Sequence, residues 1–142
     1  QGGKSCKCKP DEISRYQNKL SGPLLDRIDV HWYINPVDKD WMEQPQAETS
    51  LNVRERVQQC RELQYQRQGC LNAHLNEAQV VQFCHLTEEG QKILQQSIAS
   101  FAWSARVSHR VLKIARTIAD MNGHQNIEVN DLALASRCRP ER

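Results

Sequence analysis

The stretch between Ser104 and Gly123 constrains the fold more strongly than any other part of the sequence. Its large apolar side chains recur at helical spacing, about 100° per residue, and share one face: Val107, Val111, Ile114 and Ile118. Basic side chains gather on nearly the opposite face: Arg106, His109, Arg110 and Lys113. The serine before this run and the glycine after it suit the two ends of a helix. The pattern predicts a long amphipathic helix that must bury its apolar face against other helices.

A second long helix is predicted upstream. It begins at Ser50 or Asn52, with Glu55 completing a possible capping box, and ends at Gly69. Its predicted buried stripe consists of Val53, Val57, Cys60 and Leu63. Its other faces are basic and carry Arg54, Arg56, Arg61 and Arg67.

Three shorter helices complete the pattern. The first follows Asn76 and is predicted to bury Val80, Val81 and Phe83. The second is capped by Thr87 and is predicted to bury Leu94, Ile98 and Phe101. The third contains Ile127, Val129, Leu132 and Ala135 and ends before Pro140. The expected class is therefore mainly α, with about five short helices packed as a bundle over residues 51–139.

Composition limits the class of protein. Of 142 residues, 25% are charged and 39% hydrophobic, and the net charge of +2 is too small to indicate nucleic-acid binding by itself. No apolar run approaches the roughly 20 residues of a membrane span, so we expect no membrane partner. Six cysteines lack the spacing of a disulfide framework, which favours reduced thiols and a cytoplasmic protein. The chain opens on Gln1-Gly2-Gly3 without methionine, and we expect it to be part of a longer polypeptide.

The first fifty residues have a different pattern. Asp11 to Leu20 predicts a short amphipathic helix. Alternation of apolar and polar residues from Val30 to Ile34 predicts a strand, although a lone strand needs neighbours that this sequence does not contain. Residues 37–50 contain acids and proline without periodicity and are predicted to be a linker.

Arg27 lies between these two predicted elements, in Asp26-Arg27-Ile28-Asp29. The preceding Gly22-Pro23 suits the start of a short helix, which places Arg27 near a helix-to-strand turn. Flanking carboxylates can orient its guanidinium toward an anionic group of a neighbouring molecule. From these residues alone, an ordinary surface ion pair with Asp26 or Asp29 is the better interpretation.

Two long motifs change that balance. The segments CKCKPDEISRYQNKLSGPLLDRIDVH, beginning at Cys6, and SARVSHRVLKIARTIADMNG, beginning at Ser104, closely resemble magnesium-chelatase-like AAA+ ATPases of the bacterial competence-protein type, ComM. The resemblance runs from about Cys6 to Arg137 and implies that residues 1–36 are the tail end of an AAA+ core, followed by a helical lid. The WYINPV sequence departs from the valine-rich, acidic strand usual in this family.

The resemblance also implies roles for two arginines. Arg106 matches sensor 2, which contacts ATP bound to the same subunit. Arg110 lies beside it as a second cofactor-binding candidate, and Arg110 and Lys113 suit either ATP phosphate or DNA. Arg27 matches the arginine finger, which enters the ATP site of the neighbouring subunit in a ring, expected to be hexameric. The implied full-length protein uses ATP and Mg²⁺ to act on DNA during natural transformation and recombination.

Residues needed for ATP hydrolysis are missing from this sequence. No G-x-x-x-x-G-K-[ST] motif occurs, and no hydrophobic strand ends in Asp-Glu. We therefore expect this chain alone to be monomeric, to bind no cofactor tightly and to be catalytically inactive. Cys6 and Cys8 resemble half of a zinc knuckle, but the family's preceding cysteine pair is missing and four ligands are needed, so no metal is predicted.

Two alternatives remain for the basic side chains. The cationic faces are the solvated side of a bundle, or they bind DNA phosphates in a stand-alone helical module. A pure interaction domain has no positive support in the sequence. Cys84-His85 and His74 suggest nucleophilic catalysis, but Cys84 falls on an apolar helix face, so core packing explains it better.

Overall fold

The structure is a computed structural model that describes residues 7–19, 24, 27–32, 34 and 48–138. The chain divides into two units, Gln1–Ala47 and Glu48–Arg142. Cys6, Asp26 and most of the predicted linker lie outside the described residues.

The first unit contains helix α1, Pro10–Gln17. It begins one residue before the predicted Asp11, because the Lys9 N–H donates to Glu12 Oε2 at 2.8 Å and Pro10 provides a pre-set first turn. The apolar residues Ile13 and Tyr16 of α1 are exposed. The predicted strand from Val30 to Ile34 is wrong for residues 30–32 and 34, which form no strand. The physical reason is the one raised by the sequence, since a single extended segment has no partner for its backbone hydrogen bonds.

The second unit is helical. It consists of α2 (Ser50–Gln68), a 3₁₀ turn (Asn72–His74), α3 (Glu77–Phe83), α4 (Glu88–Phe101), α5 (Ala105–Asn122) and α6 (Val129–Arg137). The predicted mainly α class is confirmed. None of the helices in the described residues has the length and apolar character needed to cross a membrane.

Capping side chains define most of these helix boundaries. Asn76, Thr87 and Ser104 cap α3, α4 and α5 as predicted, each accepting a backbone N–H three residues ahead. The cap of α2 is Thr49, whose Oγ1 accepts the Asn52 N–H at 3.3 Å, rather than Ser50 or Asn52. Gly123 ends α5 as predicted, with φ +74°, a left-handed conformation in which any other residue would be strained.

Helix α5 forms the centre of the hydrophobic core. Its side chains Val111, Ala115 and Ala119 are fully buried. They belong to a cluster completed by Leu75, Val80, Cys84, Ile127, Leu132 and Ala135. A short parallel bridge between Leu86 and Ile127 connects the start of α4 to the segment before α6. The core therefore packs α5 against α2, the 3₁₀ turn, α3 and α6.

Several predicted core residues are exposed instead. On α2, Cys60 is buried but Val53, Val57 and Leu63 are exposed. The buried residues of this helix are Cys60 and Gln64, one turn apart in its second half, so the predicted stripe is offset from the face that packs. Val81 is 74% exposed because the seven-residue α3 buries the side that carries Val80. Phe101, the last residue of α4, is 50% exposed and stacks on Trp103 rather than entering the core.

Candidate functional site

Arg106 lies in the first turn of α5 and its side chain is exposed. Among the described residues, no carboxylate forms an ion pair with it. Ser104 builds the helix start around it: its Oγ accepts the Val107 N–H at 3.3 Å and its carbonyl accepts the Ser108 N–H at 3.0 Å. The first backbone N–H groups of a helix have no intrahelical acceptor, and the helix dipole is positive there. Arg106 therefore adds an exposed cation to an end that already favours anions.

Arg110 and Lys113 continue the basic stripe along α5. Arg110 lies one turn after Arg106 and is half-buried. Lys113 Nζ donates to the Ala73 carbonyl at 3.3 Å, which ties it to the 3₁₀ turn. The basic stripe therefore begins with the exposed Arg106 and ends with Lys113, whose side chain is bonded to the 3₁₀ turn.

A stacked aromatic pair precedes this helix start. The rings of Phe101 and Trp103 lie 5.7 Å apart between centroids, with 23° between their planes. Ala102 between them adopts a left-handed conformation, φ +49°, and ends α4. Because Trp103 packs against the core, the turn leading to Ser104 is held close to the bundle. The position of Arg106 is therefore set by packed residues on its N-terminal side.

Arg27 lies in the first unit, in a turn closed by its own N–H, which donates to the Leu24 carbonyl at 3.0 Å. Its side chain is exposed. His31 folds back toward this turn, with Nε2 3.1 Å from the Ile28 carbonyl oxygen. Arg27 and Arg106 belong to different units.

A buried polar network at the other end of α5 was not predicted from the sequence. Asp120, fully buried, accepts two hydrogen bonds from Arg67, a bond from Arg116 Nε at 2.9 Å and one from Asn72 Nδ2 at 2.8 Å. Arg116, 2% exposed, also donates to the carbonyls of His124 and Gln125 at 2.6 and 2.8 Å. The network joins α2, the 3₁₀ turn and the end of α5.

Further polar bonds extend this network into α2. The Gln64 side chain, 4% exposed, accepts the Asn72 N–H at 2.9 Å, and Asn72 Nδ2 donates to Thr117 Oγ1 at 3.0 Å. The arginine and aspartate of α5 are four residues apart, a helix pair visible in sequence. The contacts from Arg67 and Asn72 come from distant segments and have no local pattern. Arg67, predicted to lie on a basic surface, is therefore a structural ion-pair partner.

A second carboxylate organises the junction of α5 and α6. Asp131 is fully buried and accepts hydrogen bonds from Asn122 Nδ2 at 2.8 Å and the Glu128 N–H at 3.0 Å, with His124 Nδ1 at 2.8 Å. Burial alone would raise the pKa of Asp131, but the bonds from His124, Glu128 and Asn122 outweigh burial and lower it. The hydrogen bond to Asp131 raises the pKa of His124.

The buried cysteines are packing residues. Burial raises the pKa of the Cys84 thiol to about 11 and also raises the pKa values of Cys60 and Cys138, so these thiols stay protonated. His85 is exposed whereas Cys84 is buried, so core packing accounts for Cys84. Within the described residues, no group of three His, Cys, Asp or Glu side chains can hold a metal ion. Cys8 is exposed.

Comparison with known proteins identifies the family. The model for the C-terminal part of magnesium chelatase subunit ChlI matches residues 47–139, which is most of the helical unit and more than half of the chain. The chain belongs to the magnesium chelatase ChlI C-terminal family. The model for magnesium chelatase subunit ChlI itself matches residues 1–42 of this ChlI-family chain.

The ChlI-family chain is also similar to curated bacterial proteins. It is 38% identical over 128 residues to competence protein ComM of Haemophilus influenzae, covering 89% of this chain and 25% of ComM. It is 38% identical over 122 residues to the uncharacterised protein YifB of Escherichia coli, covering 84% of this chain and 24% of YifB. The chain therefore spans about a quarter of the length of these relatives.

Proposed function

We propose that this chain is the C-terminal segment of a ring-forming AAA+ ATPase, in which Arg106 acts as sensor 2 and Arg27 as the arginine finger. Residues Glu48–Arg142 form the helical lid in this proposal. The observation that carries it is the exposed Arg106 at the capped start of the central helix. Family membership and the similarity to ComM support the same interpretation.

The residues around Arg106 fit a triphosphate. Backbone N–H groups at a helix start and a guanidinium are both strong donors to phosphate oxygens. When bound, ATP with Mg²⁺ supplies the phosphoryl group that is transferred to water. Arg106 contacts phosphate oxygens of the nucleotide in its own subunit and stabilises the charge that develops on them. Arg110, one turn further along, provides a second cation on the same side of α5.

Arg27 complements this site from the neighbouring subunit. Its exposed side chain extends from a turn with a defined backbone hydrogen bond, a geometry suited to insertion into a site on another molecule. An arginine finger supplied by a second molecule can accelerate phosphoryl transfer by about 10³ to 10⁵. In this proposal a subunit hydrolyses ATP only when the adjacent subunit delivers Arg27. Activity therefore requires the ring, which we expect to be a hexamer.

The wider role follows from the similarity to the competence protein. We propose that the full-length protein is cytoplasmic and acts on DNA during natural transformation and recombination. The nucleotide-dependent movement of the lid would drive that action. Mixed rings of Arg27→Ala and Arg106→Ala subunits test the coupling between neighbours. Sites that combine an intact Arg106 with an intact Arg27 from the next subunit should recover ATP hydrolysis, although rings of either variant alone are inactive.

The test of the two arginine roles is ATP hydrolysis and binding by the full-length protein. Arg27→Ala should lower the turnover number by about 10³-fold or more while ATP binding stays nearly unchanged. Arg106→Ala should lower turnover and weaken the nucleotide-dependent closure of the lid. Arg54→Ala, on the exposed face of α2, is the matched arginine control and should hydrolyse ATP like the wild type. Retained hydrolysis in either of the first two variants contradicts the corresponding assignment.

A stand-alone DNA-binding module is the other candidate function. This function depends on the basic side chains of α2, and two of them are already in ion pairs in the structure. Arg67 is paired with the buried Asp120, and Arg56 forms a bidentate pair with Glu48 at 3.0 Å. A salt-titrated DNA-binding assay on the 142-residue chain discriminates between the two functions. Tight binding with a steep salt dependence would favour the module, and negligible binding favours the lid.

A further inference from the structure

A pocket of about 460 Å³ opens beside the buried Asp120 network, at the end of α5 opposite to Arg106. Its walls come from the second half of α2, from the last turn of α5 and from the segment after it. The lining residues that matter are Gln66, Arg67, Arg116, Asp120, Gly123 and His124. The pocket therefore combines two guanidinium groups with a single buried carboxylate.

The charges in this pocket do not balance. Both oxygens of Asp120 are occupied, Oδ1 by Arg67 and Arg116 and Oδ2 by Arg67 and Asn72. Among the described residues, no second carboxylate pairs with Arg67 or Arg116. Counted over side chains, one positive charge is therefore left beside the buried carboxylate, and the negative C-terminal ends of α2 and α5 offset only part of it.

Arg67 is where this excess charge reaches solvent. Arg116 is 2% exposed and its guanidinium is occupied by Asp120 and two carbonyls. The Arg67 side chain is 25% exposed. Its hydrogen bonds go to Gln68, Asn72 and Asp120, and they leave one N–H of Nη1 for a further acceptor.

The surroundings favour an anion with one charge. The pocket lies at the C-terminal ends of both α2 and α5, where the helix dipoles are negative and oppose a doubly charged phosphate. Asp120 adds a further negative charge. A carboxylate has one negative charge and an oxygen that can accept the remaining Nη1–H of Arg67 in a charge-assisted hydrogen bond.

We propose that this pocket binds the carboxylate of a glutamate or aspartate side chain from a partner polypeptide, held by Arg67. The site is distinct from the proposed ATP-contacting end of α5 and does not depend on that function. The partner's carboxylate neutralises the positive charge that Asp120 leaves uncompensated. The pocket is thus an interaction site for an acidic segment on another protein surface.

The test is a titration of the 142-residue chain with the blocked tripeptide acetyl-Gly-Glu-Gly-amide at low ionic strength. Two-dimensional ¹H–¹⁵N spectra recorded at each peptide concentration measure binding. Saturable shifts are expected at the Arg67 Nε–H group and at the amides of Gly123 and His124. The expected Kd is on the order of millimolar, as for a single charge-assisted contact. The matched probes are acetyl-Gly-Gln-Gly-amide and inorganic phosphate, and both should produce smaller shifts.

Two glutamine substitutions on α2 keep the test independent of folding. Gln66→Glu places a carboxylate at the pocket itself and should weaken peptide binding by at least about fivefold, as an internal competitor. Gln59→Glu adds the same charge at an exposed position outside the pocket and should leave the titration unchanged. Equal shifts from the glutamine peptide, larger shifts from phosphate, or equal weakening by both substitutions would each overturn the proposal.

Discussion

The two ends of α5 use the same kind of side chain for opposite purposes. At the N-terminal end, Arg106 is exposed and lies in the first turn of the helix. Ten residues later, Arg116 is 2% exposed and bound to Asp120 and two carbonyl oxygens. A guanidinium in the first environment can reach a ligand, whereas one in the second can only support the fold. Residue type and helix position therefore do not determine the role of an arginine, but burial and bonding partners do.

The largest expected difference between the two ends is in stability. Arg116→Met should lower the free energy of unfolding by about 3 kcal/mol, because it leaves buried carbonyls unpaired and breaks a buried ion pair. Arg106→Met should change it by less than about 0.5 kcal/mol, as for a surface substitution. Urea unfolding of the 142-residue chain at neutral pH measures both. Equal changes in the two variants would show that the contrast between the ends is wrong.

Substitutions at the two residues that cap α5 should also lower the stability of the chain, by smaller amounts. Gly123→Ala should destabilise the chain by about 1–2 kcal/mol, because its φ of +74° strains any residue with a Cβ. That Cβ would meet nothing within 4 Å, so the cost arises from the backbone alone. Ser104→Ala should cost about 1 kcal/mol through the lost bond to the Val107 N–H. A neutral Gly123→Ala substitution in thermal unfolding would contradict the left-handed end of α5.

The smallest expected effect is a pH dependence confined to the C-terminal end of α5. The pKa of His124 is raised in the folded state, so its bond to Asp131 stabilises the chain fully below pH 6.5 and less as the pH rises through the folded pKa. The pKa of Asp131 is lowered, so its contribution is present above pH 3.8 and is lost as the pH falls through the folded pKa. Stability should therefore fall on both sides of this interval.

Substitution of His124 tests the expected loss of stability at high pH. His124→Gln should flatten the change in unfolding free energy above pH 6.5, measured by urea unfolding at several pH values. His85→Gln alters an exposed histidine outside the Asp131 site and serves as the matched control. If both variants keep the wild-type slope, the His124–Asp131 bond is not the source of the pH dependence.

Local pattern predicted more of the fold than of the buried network. The caps Asn76, Thr87 and Ser104 and the stop at Gly123 follow from the chemistry of single residues, and the structure confirms them. The stripe on α2 was confirmed for Cys60 and wrong for Val53, Val57 and Leu63, because no local rule gives the extent or the exact face of a helix pair. The predicted strand failed because pairing requires a partner strand.

Part of the candidate site was likewise predicted from the sequence, and part of it was not. Helical periodicity placed Arg106 at the start of α5, and the resemblance to a known family suggested its role. The partnership of Arg67 with Asp120 spans 53 residues and arises only when α2 and α5 pack together. Sequence reasoning consequently placed Arg67 on a basic surface and missed its ion pair with the buried Asp120. The roles of Arg27, Arg106 and Arg110 toward ATP remain predictions.

The measurement that tests the central claim most directly combines turnover and stability for Arg106→Gln in the full-length protein. The glutamine keeps much of the side chain's length but removes its charge. We predict that ATP hydrolysis falls by at least about 100-fold, as for loss of a donor that stabilises transition-state charge, while the unfolding midpoint of the variant matches that of the wild type. Wild-type hydrolysis, or a loss of activity accompanied by an equal loss of folded protein, would contradict the assignment of Arg106 as a phosphate-contacting residue.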